Sequence, residues 1–340
     1  MTDTAGLAGR RVLVTGADGF IGSHLAEALV HAGARVRAMV QYNAMDARGW
    51  LDDVPAPVRD ELEVFPADLR DGPRVREAVR GRELVFHLAA LVGIPYSYHA
   101  PASYVQVNVQ GTLNLLDAAR DLDVARLVHT STSEVYGTAQ SVPITEDHPL
   151  RAQSPYAASK IAADQLALAF QRSFGTPVAV LRPFNTYGPR QSARAVIPTV
   201  MVQLASGARR LRLGALAPTR DFNYVADTVQ GFLHVAQAEQ AVGTVLNLGT
   251  GHEISIGETA RLIAELMGVS VDIDQDPERV RPRASEVERL CADAARLREL
   301  TGWAPAYAGA AGLRQGLEET VRWFRDPAHL RLYRADRYTV

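Results

Sequence analysis

Cysteine is nearly absent from this chain. Cys291 is the only one in 340 residues, so neither an internal disulfide nor a cysteine-based zinc site is available, and no metal site is expected. Charge of one sign is not concentrated anywhere. The 36 basic and 38 acidic residues nearly cancel, and Arg209-Arg210-Leu211-Arg212 is too short to act as a basic tail. A nucleic-acid partner is therefore not expected, although an arginine site for a small phosphate stays open. No apolar run approaches the ~18 residues of a membrane span, and Met1-Thr2-Asp3-Thr4 lacks the basic flank of a signal peptide. These absences leave the expectation of a soluble cytoplasmic protein with no membrane partner.

What is present points to a large folded core. Apolar residues make up 47% of the chain, far above the disordered range. At about 100–200 residues per domain the length implies two lobes. Strand-like and helix-like segments alternate from the start: strands near 11–15, 34–40, 62–65, 83–88, 125–130 and 178–181, with helical patterns near 20–32, 73–80, 101–120 and 155–173. Such alternation predicts an α/β fold, a doubly wound parallel (Rossmann) sheet with helices on both faces. After residue 183 prolines and Arg/Asp-rich loops break the rhythm, and helical patterns return near 225–238, 256–267 and 309–325. The expected division is a nucleotide domain of residues 1–182 plus 223–250, with 183–222 and 251–340 forming a second, smaller α/β substrate lobe.

Gly16-Ala17-Asp18-Gly19-Phe20-Ile21-Gly22 follows the first strand and opens the first helix. Gly16 suits a tight turn, Gly19 a close approach to a pyrophosphate, and Gly22 close packing of helix on strand, while the N–H groups of the helix face the anion. The spacing is GxxGxxG rather than the commoner GxGxxG, so its weight comes from its place between strand and helix. An acid closing the second strand would normally hold the adenosine ribose, but Met39-Val40-Gln41-Tyr42-Asn43 contains none. No arginine is obvious for a 2′-phosphate either, although Arg37 and Arg48 are near, so NAD is expected while NADP stays open. Asp68-Leu69, after the third strand, is a candidate adenine contact.

Tyr156 and Lys160 stand at i and i+4 of a helix and so share a face. A phenol with a pKa near 10 is a poor base at neutral pH, and a neighbouring ammonium favours its ionised form. The fifth strand ends in His129-Thr130-Ser131-Thr132-Ser133-Glu134-Val135-Tyr136-Gly137, which brings hydroxyls and a carboxylate to the C-terminal edge of a central strand. Thr132, Ser133 and Glu134 join Tyr156 and Lys160 as candidate catalytic residues.

Together with Arg182-Pro183-Phe184-Asn185-Thr186-Tyr187-Gly188-Pro189-Arg190, these motifs resemble the extended short-chain dehydrogenases/reductases that act on nucleotide sugars. Three further segments resemble the nucleotide-sugar 4,6-dehydratases of legionaminic-acid biosynthesis, which act on UDP- or GDP-N-acetylglucosamine. They are Gly93-Ile94-Pro95-Tyr96-Ser97-Tyr98, the stretch 129–140, and Gln191-Ser192-Ala193-Arg194-Ala195-Val196-Ile197-Pro198. The resemblance implies that Tyr156 is the base at the sugar 4-hydroxyl, that Lys160 tunes it and holds the nicotinamide ribose, and that Thr132 bonds the 4-oxygen. It implies a cofactor lining of Phe20, Ile21, Gln41, Leu88, Ala89, Ala90 and Asn108 beside the glycines. It further implies that Asn185, Arg220 and Arg283 grip the diphosphate, with Tyr96, Ser97, Arg190 and Arg194 on the substrate side.

The implied reaction oxidises C4, which acidifies the C5 proton. A carboxylate, here Glu134, removes that proton, water leaves from C6, and the hydride returns to C6. Where the better-known dTDP-glucose dehydratases carry an aspartate as the acid, this chain has Ser133. Either Ser133 relays a proton, or Glu134 makes both transfers, or the reaction is not dehydration. A 4-epimerase, a UDP-glucuronate decarboxylase and a non-catalytic NAD-sensing protein are the alternatives. The helices at 101–120 and 155–173 carry alanine and leucine on more than one face, and the resemblance implies a homodimer through a four-helix bundle.

Overall fold

The computed structural model describes residues 5–334, so Met1–Thr4 and the stretch 335–340 of the expected substrate lobe lie outside the described residues. Among the described residues twelve strands are formed in chain order: β1 (Arg11–Thr15), β2 (Arg35–Val40), β3 (Glu63–Pro66), β4 (Leu84–His87), β5 (Arg126–Thr130), β6 (Val178–Pro183), β7 (Asn185–Tyr187), β8 (Arg210–Leu213), β9 (Thr219–Tyr224), β10 (Val245–Leu248), β11 (Glu253–Ser255) and β12 (Asp272–Gln275). Seven of them make one parallel sheet in the order β10-β6-β5-β4-β1-β2-β3.

The period of two along each strand sorts the core into two layers. Val12 and Val14 of β1 pack with Leu25 and Leu29 of the helix Phe20–His31 and with Val229 and Phe232 of the helix Val225–Gln237. Leu13, between them, faces the other side, with Val75 and Val79 of Gly72–Val79, Leu115 and Leu116 of Gly111–Asp121, and Ala167 of Pro155–Phe174. Both faces of the sheet are thus covered, as an all-parallel sheet requires. The strand order reverses between β1 and β4, and the chain leaving those two strands diverges to opposite sides. A crevice opens at that point, above the C-terminal strand ends.

The expected helix at 101–120 is interrupted. Pro101–Tyr104 runs into a single wide π-turn, Val105–Gln110, before Gly111–Asp121 resumes. Asn108 lies within that turn, and its buried amide is held by a loop outside the helix, as described below. After residue 183, where prolines break the rhythm of the sequence, two small sheets form. β11, β9 and β7 make one, with β9 antiparallel to β11 and parallel to β7, and β8 pairs with β12 in the other. Among the described residues no helix is long and apolar enough to cross a membrane, and no cluster of His, Cys, Asp and Glu is arranged to hold a metal ion.

Candidate active site

The crevice between β1 and β4 is built by the glycine turn. Gly16 has φ +68°, a left-handed conformation that favours glycine, and a Cβ there would lie 2.8 Å from the backbone of Ala89. A Cβ at Gly22 would collide with the Gly16 carbonyl oxygen, so strand and helix can approach only as glycines. Gly19 stands at the N-cap with no side-chain cap, which leaves the first turn of the helix, with Phe20 and Ile21, open to an anion. Opposite, Thr15 Oγ1 accepts the N–H groups of Leu88 and Ala89, each at 3.1 Å, and so shapes the loop through Ala90. This cradle has the geometry a dinucleotide pyrophosphate needs.

Other residues expected to touch the cofactor do structural work here. The Asn108 amide accepts the Leu91 N–H at 2.8 Å and donates to the Leu91 carbonyl and the Ser159 hydroxyl. It ties the β4 loop to the helix of Tyr156. The Asp68 carboxylate is engaged by the Arg70 guanidinium, which holds it below the usual carboxylate range, while Leu69 is buried against Gly111. Gln41 is exposed, and its backbone N–H donates to Asp18 Oδ2 at 3.1 Å.

Ser154 caps the helix Pro155–Phe174 by accepting the Ala157 N–H at 3.1 Å, and Pro155 opens its first turn. Tyr156 therefore sits at the mouth of the crevice with Lys160 one turn behind it. Thr132, the first residue past the β5 edge, hydrogen-bonds the Tyr156 phenol, and a short 3-10 turn, Ser133–Tyr136, carries Glu134 alongside. Thr132, Glu134, Tyr156 and Lys160 are thus brought together. Ser133 is in the same turn but only 2% exposed.

Electrostatics at this cluster differ from the simple expectation for a Tyr–Lys pair. Burial pushes the Tyr156 phenol above its ordinary value of 10, the Glu134 carboxylate and Tyr104 push it further, and the Thr132 hydrogen bond opposes them. Burial also lowers the Lys160 ammonium from 10.5 to about 8, with Asp164 opposing. Lys160 Nζ donates to the Thr130 carbonyl at 2.6 Å. Lys160 is also the only lysine in the chain, a signal that motif reading overlooked.

Behind Lys160 lies a buried polar network. Asp164, one further turn along the helix and fully buried, accepts from Ser131 at 2.6 Å and from Arg182 at 3.0 and 3.1 Å, with His129 at 3.3 Å. Arg182 also donates to the Tyr136 hydroxyl, which donates to Asn247 Oδ1. The i, i+4, i+8 spacing of Tyr156, Lys160 and Asp164 makes this partner readable from the sequence.

On the substrate side the expected residues separate. Arg220 is 5% exposed, lies near Glu134, and meets Glu286 at 3.5 Å. Arg281 converges on the same Glu286 at 3.7 Å, whereas Arg283 stands exposed on a turn and does not join them. Asn185 carries a buried Oδ1 without a hydrogen-bond partner. Ser97 is fully buried and donates to the Ile94 carbonyl at 2.6 Å, so its hydroxyl serves its own helix. Tyr96 is exposed beside Tyr104, and Arg194 lies against Gly93. Arg190 adopts φ +69° and pairs with Glu27 at 3.0 Å, joining the 188–194 loop to the first helix. A cavity of about 400 Å³ opens between Tyr98 and the Val280–Pro282 segment.

Such a crevice, with a phenol, a hydroxyl and an ammonium at its mouth, supports oxidation of a substrate hydroxyl beside a bound dinucleotide, and that defines an extended short-chain dehydrogenase/reductase. The GDP-mannose 4,6 dehydratase family model matches residues 13–316, and the chain belongs to this family of nucleotide-sugar dehydratases and epimerases. It is 36% identical over 317 residues to a dTDP-glucose 4,6-dehydratase of Streptomyces griseus, covering 92% of this chain and 93% of that one. It is 34% identical over 321 residues to a UDP-glucose 4-epimerase of Mycolicibacterium smegmatis, covering 93% and 99%. Among solved structures, the dTDP-glucose 4,6-dehydratase of Streptomyces venezuelae with NAD and TYD bound superposes with a TM-score of 0.82 at 31% identity, covering 93% of this chain and 97% of that one.

Proposed function

We propose that this protein is an NAD-dependent nucleotide-sugar 4,6-dehydratase acting on UDP- or GDP-N-acetylglucosamine. The observation that carries the reading is the placement of Glu134, a buried carboxylate close enough to act on both the Tyr156 phenol and the Arg220 guanidinium. An epimerase needs only a C4 ketone and a turn of the sugar, and has no use for a carboxylate there. The glycine turn and the Leu88–Ala90 loop would hold NAD, which would supply hydride uptake from C4 and its return to C6. Tyr156 removes the proton of the 4-hydroxyl, and Thr132 holds the oxygen as it becomes a ketone. Lys160 holds the nicotinamide ribose. Glu134 takes the C5 proton and gives it to the departing C6 hydroxyl, which leaves as water; as the hydride returns to C6 a proton is delivered to C5, and this balances the one Tyr156 removed from the 4-hydroxyl. Giving both transfers to Glu134 suits the burial of Ser133, which is in any case a poor acid. Arg220 and Arg281 suit a diphosphate, since their planar forks match phosphate oxygens.

On this reading residues 1–182 with 223–250 bind the dinucleotide, and 183–222 with 251–340 bind the nucleotide sugar. A homodimer through the 101–121 and 155–174 helices is part of it, because Val105 and Phe174 are each 56% exposed there. Sedimentation at micromolar concentration is expected to report a dimer.

One observation favours a second reading. A uronate decarboxylase needs a cation near C6, and Arg194 lies against the Gly93 loop that would border the sugar. Incubation with UDP-N-acetylglucosamine, GDP-N-acetylglucosamine and UDP-glucuronate, followed by product masses, separates the cases. Loss of water from an N-acetylglucosamine nucleotide supports dehydration. Loss of carbon dioxide, or an unchanged mass with altered stereochemistry, overturns it. Glu134→Gln is expected to stop water release while C4 oxidation persists; full water release by this variant refutes the assignment of Glu134.

A further inference from the structure

The second strand ends without an acid, yet a carboxylate stands at that strand end all the same. Asp18, within the glycine turn, accepts through Oδ2 the first backbone N–H beyond β2, that of Gln41, at 3.1 Å. The loop that follows clasps Asp18 from the other side. The Trp50 N–H donates to the Asp18 carbonyl at 3.0 Å, and Gly49, at φ +56°, packs so closely on that carbonyl that a Cβ would collide with it. Among the described residues no arginine or lysine pairs with the Asp18 carboxylate. Of the two arginines on β2, Arg35 stands at the opposite, N-terminal end of the strand and Arg37 is committed elsewhere: it pairs with Glu63 at 2.7 Å, donates to the Glu77 and Ala78 carbonyls, and lies over the Phe65 ring.

In doubly wound folds the adenosine ribose lies at the end of the second strand, where a carboxylate accepts its hydroxyls and repels a 2′-phosphate. We propose that Asp18 is the residue that reads the adenosine ribose in this protein, replacing the acid missing from β2 and making the site selective for NAD over NADP. The inference rests on the dinucleotide reading given above and deepens it. Burial without a cation raises the Asp18 carboxyl above its ordinary value, as expected for a group whose hydrogen-bond donors arrive with a ligand.

The test is a fluorescence titration of the full-length protein, after exchange of any nucleotide carried through purification, with NADH, NADPH and the 2′-deoxy analogue of NADH. Wild type is expected to bind NADH at least about tenfold more tightly than either of the others, the loss of a charge-assisted hydrogen bond being of that order. Asp18→Asn keeps an acceptor for the Gln41 N–H and removes the charge. It is expected to erase most of both preferences, with an unchanged melting temperature. Should that variant fail to fold, Asp18→Glu carries the test and is expected to keep the preference for NADH over NADPH. Preferences unaltered in Asp18→Asn, or lost in Asp18→Glu, overturn the proposal. Failure of wild type to bind NADH and NADPH at all overturns the dinucleotide reading itself, a distinct result.

Discussion

Replacing Asp164 by asparagine removes one negative charge from a site that water does not reach. Asp164 is fully buried, and its carboxylate faces Ser131, His129 and a bidentate Arg182 that is itself only 2% exposed. The amide of Asp164→Asn still accepts one hydrogen bond, but Arg182 becomes an uncompensated buried cation, at a cost of about 3–5 kcal/mol. At roughly 2 °C per kcal/mol for a chain of this size, the melting temperature at neutral pH is expected to fall by about 6–10 °C. The sign with pH is fixed. The Asp164 carboxyl is lowered in the folded state relative to 3.8, so its stabilisation is present above that value and fades as pH drops through the folded value. The difference between wild type and variant must therefore shrink in acid. A second readout is specific to the site. Asp164 opposes the burial that brings Lys160 down to about 8, so its loss should carry that titration lower, by about one pH unit or more. Because Lys160 is the only lysine, protein grown with lysine labelled at Cε gives one side-chain resonance whose chemical shift titrates with that group alone. A variant that melts within a degree of wild type, or whose lysine signal titrates unchanged, refutes the reasoning.

Three further outcomes follow from the geometry. Gly22→Ala places a Cβ into the Gly16 carbonyl, so it should cost about 1–3 kcal/mol and abolish NADH binding in a fluorescence titration. Arg281→Ala should raise KM for the nucleotide sugar about tenfold or more with a smaller change in kcat, whereas Arg283→Ala, on its exposed turn, should change KM by less than about threefold. Arg190→Ala strands Glu27 and loosens the joint between the 188–194 loop and the first helix, so its melting temperature should drop by several degrees while KM for the nucleotide sugar stays within about threefold.

Much of this architecture was legible because the core obeys simple periods. Val12, Leu13 and Val14 alternate between two helix layers, and the strands expected from such patterns lie within a few residues of those formed. The helix at 101–120 was misread as continuous, since periodicity carries no sign of a wide turn around Asn108, whose amide meets Leu91. The short strands after residue 183 carry little local signal for a related reason. Pieces of three or four residues, such as β7 and β11, are fixed by their partners across the lobe and not by local preference. At the site, spacing found Tyr156 and Lys160 because one helix holds both. It could not rank arginines on a loop: Arg281 and Arg283 differ by two residues, and only the fold decides that Arg281 turns toward Glu286. Likewise nothing in the sequence around Arg190, expected on the substrate side, signals that Glu27 of the first helix would face it.

The same burial acts in opposite directions on the two central groups, and this bears on when the chemistry can start. It raises the Tyr156 phenol and lowers the Lys160 ammonium, so in each case the neutral form gains. Asp164 is the counterweight on the lysine, and it is placed for that role by Arg182 and Ser131, which hold its own proton off. Nothing of comparable strength lies next to the phenol, where Glu134 pushes the other way and only the Thr132 hydrogen bond helps. Burial therefore favours the neutral phenol, and a cationic nicotinamide in the crevice would favour its ionised form; on the proposed reading, removal of the substrate hydroxyl proton is thereby tied to occupancy of the dinucleotide cradle.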